Sequence, residues 1–484
     1  MLHRSPEVRP VEEFFDNEYR NFALYTVSNR AIPSLVDGFK PAQRKIAFAA
    51  NKLWKTGAEK PMKVFQLGGQ AAALSFFHHG SLDDTIIGMA QEFKNSLPIF
   101  QGIGQFGSLR SPEPGAPRYV GVKFNANFKL LYKDFELTTP QYEEGQEIEP
   151  EFFLPIIPTV LLNGGSGVAV GFASSILNRH PQALISACLD VLDHGRVATP
   201  LTPWVRGFEG TVEALQGSDK SWVFRGAWEV KNTSTVQITE IPPGFTYEKY
   251  EAHLESLIQK QLLVSYEDSS SDRARYVLKF QRQVLAELIS KKRLDEILRM
   301  REQDTENLTT LDENSKLRIF QRAEDLVLYF VEFRLGYYQK RKDYLLLRMR
   351  EELERLTERA RFVEGVIAKK FSLLGAKKKD LTQSLRDAKF KEIDGGYEYL
   401  LSMPLSSLTE DKVTELRAKI QDLNQKQEAL SKRDPKDLYR EDLVSLQKAL
   451  PGSPVQSPPP VNGVQNPPPA DEESRDVFDI FGSE

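Results

Sequence analysis

Ala31-Ile32-Pro33-Ser34-Leu35-Val36-Asp37-Gly38-Phe39-Lys40-Pro41 is the stretch from which the fold is read. Pro33, Gly38 and Pro41 break it into a turn, because proline lacks an amide proton and glycine enters the left-handed region freely. Pro41 suits the first turn of a new helix. On either side, spacings of three and four recur: Phe22, Tyr25 and Asn29 before the turn, Ile46, Ala49, Ala50 and Leu53 after it. Residues 81–94 repeat the pattern with Ile86, Ile87, Met89, Ala90 and Phe93. Short helices joined by tight turns, with basic residues at their starts, predict a helix-turn-helix or winged-helix module.

Further along, residues 100–180 are punctuated by Gly102, Gly104, Gly107, Gly115 and Gly121 and read as loop-rich. Residues 200–285 carry short β-prone runs, Trp222-Val223-Phe224, Thr235-Val236-Gln237-Ile238 and Tyr276-Val277-Leu278-Lys279-Phe280. A helical stretch from Tyr247 to Leu263 lies among them, so the region reads as α+β. Residues 321–372 form the longest helical pattern, with a heptad seam through Leu346, Met349, Leu353, Leu356, Ala360, Val363 and Ile367. A second seam runs through Val413, Leu416, Ile420, Leu423 and Leu430. Two such helices flanking a small unit, residues 373–408, predict an antiparallel coiled-coil arm with a helical cap; an ordinary bundle is the alternative. Tyr397, Leu400, Leu401 and Leu405 supply the cap with either a dimer contact or its own core.

Composition narrows the functional classes. The 484 residues hold 64 Lys or Arg and 68 Asp or Glu, a net charge of -4. That excludes a histone-like basic protein but not a local nucleic-acid groove. One cysteine, Cys188, excludes an intrachain disulfide and a multi-cysteine zinc site. No apolar run approaches the ~20 residues of a membrane helix, and Met1–Glu7 lacks an apolar signal core, so a cytoplasmic setting is expected. The charge is uneven. Residues 21–75 contain eight basic and two acidic residues, whereas 451–484 contain eight Pro, six acids and one Arg. The latter reads as a disordered tail, since it buries too little apolar area to offset its ordering entropy. Its end, Asp476-Val477-Phe478-Asp479-Ile480-Phe481, suits either a partner groove or a solubilising role.

Three clusters carry candidate chemistry. Arg118-Tyr119 follows the glycine-rich loop. A phenol ordinarily loses its proton only near pH ~10, so a nucleophilic tyrosine needs help. A neighbouring guanidinium stabilises phenolate and clamps phosphate through its planar fork. Such a pair suits attack on a backbone phosphodiester with a covalent intermediate. His78-His79-Gly80 places two imidazoles in sequence; consecutive residues do not share one metal on a helix, but one reaches a phosphate or moves a proton. Lys40, Arg44 and Lys45 sit at a helix start whose free N–H groups suit phosphates. Each cluster also has a plain reading as packing, a structural pair or a solvated helix start. No Gly-x-x-x-x-Gly-Lys-Ser/Thr loop and no clustered Asp-x-Asp pair is present, so if the chain breaks DNA and needs ATP or a metal, another polypeptide must bring them.

Taken in order, several segments resemble the DNA breakage-reunion subunit of type IIA topoisomerases. They are Leu35–Lys45, Phe77-His78-His79-Gly80, Asp84-Thr85-Ile86-Ile87, Gly102–Gly107, Pro117-Arg118-Tyr119, Leu161–Val168, Ile238–Gly244 and Phe333–Lys342. The family joins the gyrase A subunit with the corresponding half of eukaryotic topoisomerase II and the medium subunit of the T-even phage enzyme. Gln43, where gyrase carries His, sides with the eukaryotic and phage type. The resemblance implies an α+β multidomain fold: an N-terminal arm (1–25), a winged-helix domain with the catalytic tyrosine (26–125) and an α/β tower or shoulder domain (126–295). There follow a linker and first coiled-coil helix (296–372), an exit-gate dimerisation cap (373–408), a second coiled-coil helix (409–450) and the acidic Pro-rich tail (451–484).

The resemblance also implies roles. Tyr119 attacks DNA and holds a 5′ phosphate, Arg118 stabilises the transition state, and His79 and His78 hold the scissile or adjacent phosphate. Lys40, Gln43, Arg44 and Lys45 grip the gate DNA; Ser166 belongs to its binding surface, and Val168 stands where the family has a wedging Ile. The implied partners are double-stranded DNA, a second copy of this chain, and a separate ATPase subunit that binds Mg²⁺ and ATP, giving a heterotetramer or larger. The loop after His79-Gly80 is shorter than in the family, by about two residues. With no β-pinwheel wrapping domain in the sequence, relaxation or decatenation is expected rather than supercoiling. A phage or large DNA virus source is expected, with action in the host cytoplasm. Two readings compete. A catalytically inactive DNA-binding coiled-coil scaffold forms no adduct. A tyrosine recombinase or type IB-like enzyme needs several Arg and His around its Tyr in one chain, which this motif order does not supply.

Overall fold

The computed structural model describes residues 11–54, 60–76, 81–271, 273–370 and 378–450. The tail 451–484, the first ten residues of the arm and the His78-His79 pair lie outside these. The chain divides into two compact units, residues 1–332 with 442–484, and residues 333–441.

The first unit opens with a helical segment made of α1 (Val11–Phe14) and α2 (Arg20–Thr26), each followed by a five-residue π turn, Phe15–Tyr19 and Val27–Ala31. Phe14, Phe15, Phe22 and Tyr25 stand exposed on it, while Val27 and Ala31 are buried. The expected turn follows, with Gly38 at φ +71° and space for no side chain: an added Cβ would lie 2.6 Å from the Val160 amide nitrogen. Helix α3 (Pro41–Leu53) begins with its proline at the first helical position. The Lys40 N–H donates to Gln43 Oε1 at 2.9 Å, which caps the helix from its third residue. Its Ile46, Ala47, Phe48, Ala49 and Ala50 are buried. Helices α4 (Val64–Leu74) and α5 (Asp83–Ala90) complete the set.

A three-stranded antiparallel sheet lies beside them, with β1 (Met62–Lys63), β2 (Phe100–Ile103) and β3 (Gly121–Phe124) in the order β1-β3-β2. Rings of Trp54, Phe100 and Phe128 close on Phe124, with centroids 5.0, 5.6 and 4.0 Å away. This aromatic cluster anchors the sheet to α3, since large rings bury much apolar surface with few rotamers.

The other described strands of the first unit pair antiparallel. The strands Ala227–Asn232, Thr235–Glu240, Tyr276–Lys279 and Ser265–Asp268 pair in that order. Their core holds Val236, Ile238, Tyr276 and Leu278 against Tyr250, Leu254 and Leu257 of the helix Tyr247–Gln259. Strand Ser221–Arg225 pairs with Arg301–Thr305 in a second, three-stranded sheet, whose strands lie on either side of residue 295, the boundary expected from the sequence. Beyond it, the hairpin Leu308–Leu311 and Leu317–Phe320 returns to the turn: Leu35 N–H donates to Leu311 O at 2.7 Å and Leu311 N–H to Pro33 O at 3.0 Å.

The 45-residue helix Ala323–Ile367 runs from the first unit into the second; at ~1.5 Å per residue it is about 68 Å long. Within the second unit, Leu356, Ala360 and Val363 pack on Leu416, with Val413, Ile420 and Leu423 around them. The two helices run antiparallel: Lys342 Nζ donates to Arg433 O at 2.6 Å, while Arg417 meets Glu364 at 2.7 Å. Phe362, Leu385, Phe390, Tyr397, Tyr399 and Leu400 form a small separate core. The range 409–450, expected as one helix, is two. Glu410–Lys432 ends at Arg433, which is extended at ψ 140°, and Pro435 opens the helix Pro435–Ala449. Proline cannot donate into the preceding turn but is well placed as the first residue of a new helix.

Candidate functional site

Two segments, with a hairpin that meets the first, carry the predicted residues that are described. The first is the turn before α3. Asp37 is fully buried and accepts hydrogen bonds from Phe39 N–H, Phe153 N–H, Arg44 Nε at 2.7 Å and Arg44 Nη2 at 3.0 Å. Its backbone oxygen accepts from Thr159 Oγ1 at 2.6 Å and Tyr132 Oη at 3.4 Å. Burial opposes the Arg44 charge, but Asp37 outweighs it and holds the guanidinium above its ordinary value. Burial, reinforced by Asp37, pushes the Tyr132 hydroxyl well up. Arg44 is therefore a strut that shapes the turn rather than a free cation. Lys45 is likewise engaged, with Glu149 at 2.7 Å and Ser75 O at 2.9 Å. Gln43 is the cap of α3.

Lys40 is different. Its Nζ reaches 126 residues along the chain to Ser166 O at 2.6 Å, so two predicted DNA-binding residues meet. Partial burial pushes its ammonium down from the ordinary lysine range. Ser166 lies in the hairpin Gly165–Val168 and Ala173–Ile176. Val168 stands at its tip, 86% exposed, beside exposed Phe172. Arg30, Lys40, Gln43, Lys45, Lys94 and Ser166 help line one cavity of about 1420 Å³.

The second segment is the loop from Gly104 to Val120. Its turns need glycine: Gly107 sits at φ +80°, and a Cβ there would lie 2.5 Å from Pro112 O. Buried Gln91 ties the loop down through Nε2 to Phe106 O at 2.9 Å. Tyr119 is 66% exposed, and the Arg118 guanidinium carbon lies 4.8 Å from its ring centroid. Neither residue lines the large cavity. His78 and His79 lie outside the described residues, and among the described residues no cluster of three or more His, Cys, Asp or Glu could hold a metal.

Other residues at these segments carry weight that the sequence did not signal. Arg110, 4% exposed, pairs with Glu240 and donates to Ile241 O at 2.6 Å and to Pro242 O and Phe245 O at 3.2 Å. It ties the Tyr119 loop to the four-stranded sheet. Burial pushes the Glu240 carboxyl up even against Arg110. Lys63 donates to the Tyr119 carbonyl oxygen at 2.6 Å. A long polar side chain in a loop or at a helix start has no periodicity to betray it.

The class follows from the whole arrangement: an α+β multidomain chain like the DNA-handling part of a type II topoisomerase. A solved Plasmodium falciparum topoisomerase II DNA-binding, cleavage and re-ligation domain superposes with a TM-score of 0.80 at 28% identity, over 88% of this chain and 62% of that one. The family model for the DNA gyrase/topoisomerase IV A subunit matches residues 30–445, and the chain belongs to that family. It is similar to the DNA topoisomerase medium subunit of Enterobacteria phage T4, 30% identical over 91% of this chain and 99% of that protein. The mitochondrial DNA topoisomerase 2 of Dictyostelium discoideum is 29% identical over 90% of this chain but only 35% of its own length. The chain thus spans about a third of such eukaryotic relatives. Among the described residues, no helix is long and apolar enough to cross a membrane.

Proposed function

We propose that this chain is the cleavage–religation subunit of an ATP-dependent type IIA topoisomerase, with Tyr119 as nucleophile. The Tyr119 oxygen attacks a backbone phosphorus; the new Tyr–O–P bond forms as the bond to the 3′ oxygen breaks. The 5′ phosphate stays on Tyr119, the phenolic proton passes to a base, and the departing 3′ oxygen takes one up. Bond types are conserved, so the reverse attack reseals the strand without an external energy source. Arg118 stabilises the charge that develops on phosphorus. Lys40 and the Ser166 hairpin hold the gate duplex, with Val168 as its wedge, and His79 with His78 holds a phosphate. Arg44, Lys45 and Gln43 shape that surface from within.

In this reading helices α3–α5 with their sheet are a winged-helix domain, the antiparallel sheets a shoulder, and the long helices a coiled-coil arm closed by a dimerising cap. Two copies cut opposite strands. Mg²⁺ and ATP belong to a separate partner subunit. The complex relaxes or decatenates DNA.

The observation that carries the reading is the placement of Tyr119. Tyr132, Tyr250, Tyr276, Tyr338 and Tyr439 are sealed in cores, whereas Tyr119 stands in solvent; Tyr142 is as exposed, and what marks Tyr119 is the Arg118 guanidinium on its ring. With partner subunit, Mg²⁺ and supercoiled DNA, a denaturant-stable protein–DNA adduct forms, and Tyr119→Phe abolishes it. An adduct that survives Tyr119→Phe refutes the nucleophile; no adduct under any reconstitution leaves a DNA-binding scaffold.

A further inference from the structure

We infer that Lys63 is a positioning residue for Tyr119, holding the nucleophile's own peptide group in register with the start of helix α4; this rests on the reading of Tyr119 as nucleophile. The start of α4 meets three carbonyls of the Tyr119 segment. Phe65 N–H donates to Pro117 O at 3.4 Å and Val64 N–H to Val120 O at 3.2 Å. Tyr119 O, just before Val120 O, is met by the Lys63 side chain instead of a helix N–H, at 2.6 Å. Lys63 is itself held: its backbone pairs with Gly121 in the β1/β3 ladder, and its N–H donates to Gln66 Oε1 at 3.3 Å.

Tyr119 N–H is already committed to Ala116 O at 2.8 Å. With Lys63 in place, both peptide bonds flanking the Tyr119 Cα are tied, and only the two side-chain torsions remain to aim the phenol. Remove the ammonium and the peptide after Tyr119 keeps only the longer bond from Val120 N–H to Ala116 O at 3.3 Å, so it is held less tightly, which lets the Cα–Cβ direction tilt and displaces an oxygen at the far end of a long ring. Displacements of about 1 Å at a reacting atom cost on the order of 100-fold in rate. Lys63 is exposed, so its replacement leaves no buried charge stranded and spares the fold.

The test uses the complex of this chain with its partner subunit and Mg²⁺. Adduct formation is timed at saturating duplex, and duplex affinity is measured separately by anisotropy, for Lys63→Met, Lys63→Arg and Tyr119→Phe. Lys63→Met slows adduct formation at saturation roughly 10–100-fold with little change in affinity, and Lys63→Arg recovers most of the rate because its fork still reaches the carbonyl. An unchanged rate at saturation overturns the inference. So does a defect that lies wholly in affinity, which makes Lys63 a phosphate contact. Adduct loss in Tyr119→Phe with indifference to Lys63 overturns this inference alone; an adduct that survives Tyr119→Phe overturns the reading beneath it.

Discussion

Arg179 meets Glu306 at 2.7 Å with side chains 1% and 4% exposed, and Lys426 meets Asp422 at the same 2.7 Å with both more than 60% exposed. The distance is equal and the consequences are opposite. In the first unit Arg179 also donates to Leu201 O and Leu177 O, and Glu306 accepts from Leu177 N–H and Trp222 Nε1, so neither charge is left short of partners. Taking such charges out of water is tolerable only when every donor and acceptor is met. In the second unit the pairs along Glu410–Lys432 are one turn apart and compete with water and salt. The buried pair of the first unit holds backbone in place; the exposed pairs along Glu410–Lys432 solvate a long helix whose hold comes from the apolar seam.

Removing one side of the buried pair tests this most severely. Arg179→Met strands Glu306 and is expected to cost about 3–5 kcal/mol in urea unfolding; a change under about 1 kcal/mol breaks the comparison. In the second unit the seam should matter more than the charges: Leu416→Ala, at a 3% exposed site, is expected to cost about 2–5 kcal/mol by the same measurement. The smallest effect belongs to Lys426→Ala, which is expected to leave the thermal midpoint where it was. A clear drop there would mean that the exposed pairs act as a network, and the contrast between units would need redrawing.

Much of this was legible in the sequence. Pro33, Gly38 and Pro41 announce the turn because each has a backbone constraint that no neighbour can remove. The seam through Leu356, Ala360 and Val363 is visible because burial repeats with the helical period. The break at Asp434-Pro435 was also written there, in a proline that cannot donate into the preceding turn. Arg44 shows the other limit. Its place at a helix start suggests phosphate, yet Asp37, seven residues earlier, takes its fork. Arg110 and Lys63 have no signal of any kind, since a loop arginine and a helix-start lysine look the same whether they meet water or a carbonyl.

The order of residues alone determined the turn between helices at residues 31–41, the strand-rich middle, the long helical stretches and the Arg118-Tyr119 pair, because backbone limits and apolar periodicity act over a few residues. Only the tertiary structure decided which charges are spent inside the chain and which are left at its surface. Lys40 and Ser166 lie 126 residues apart, and Arg110 and Glu240 lie 130 apart. A hydrogen bond reaches only ~3 Å, so partners that distant in sequence are chosen by the packed core and by nothing local.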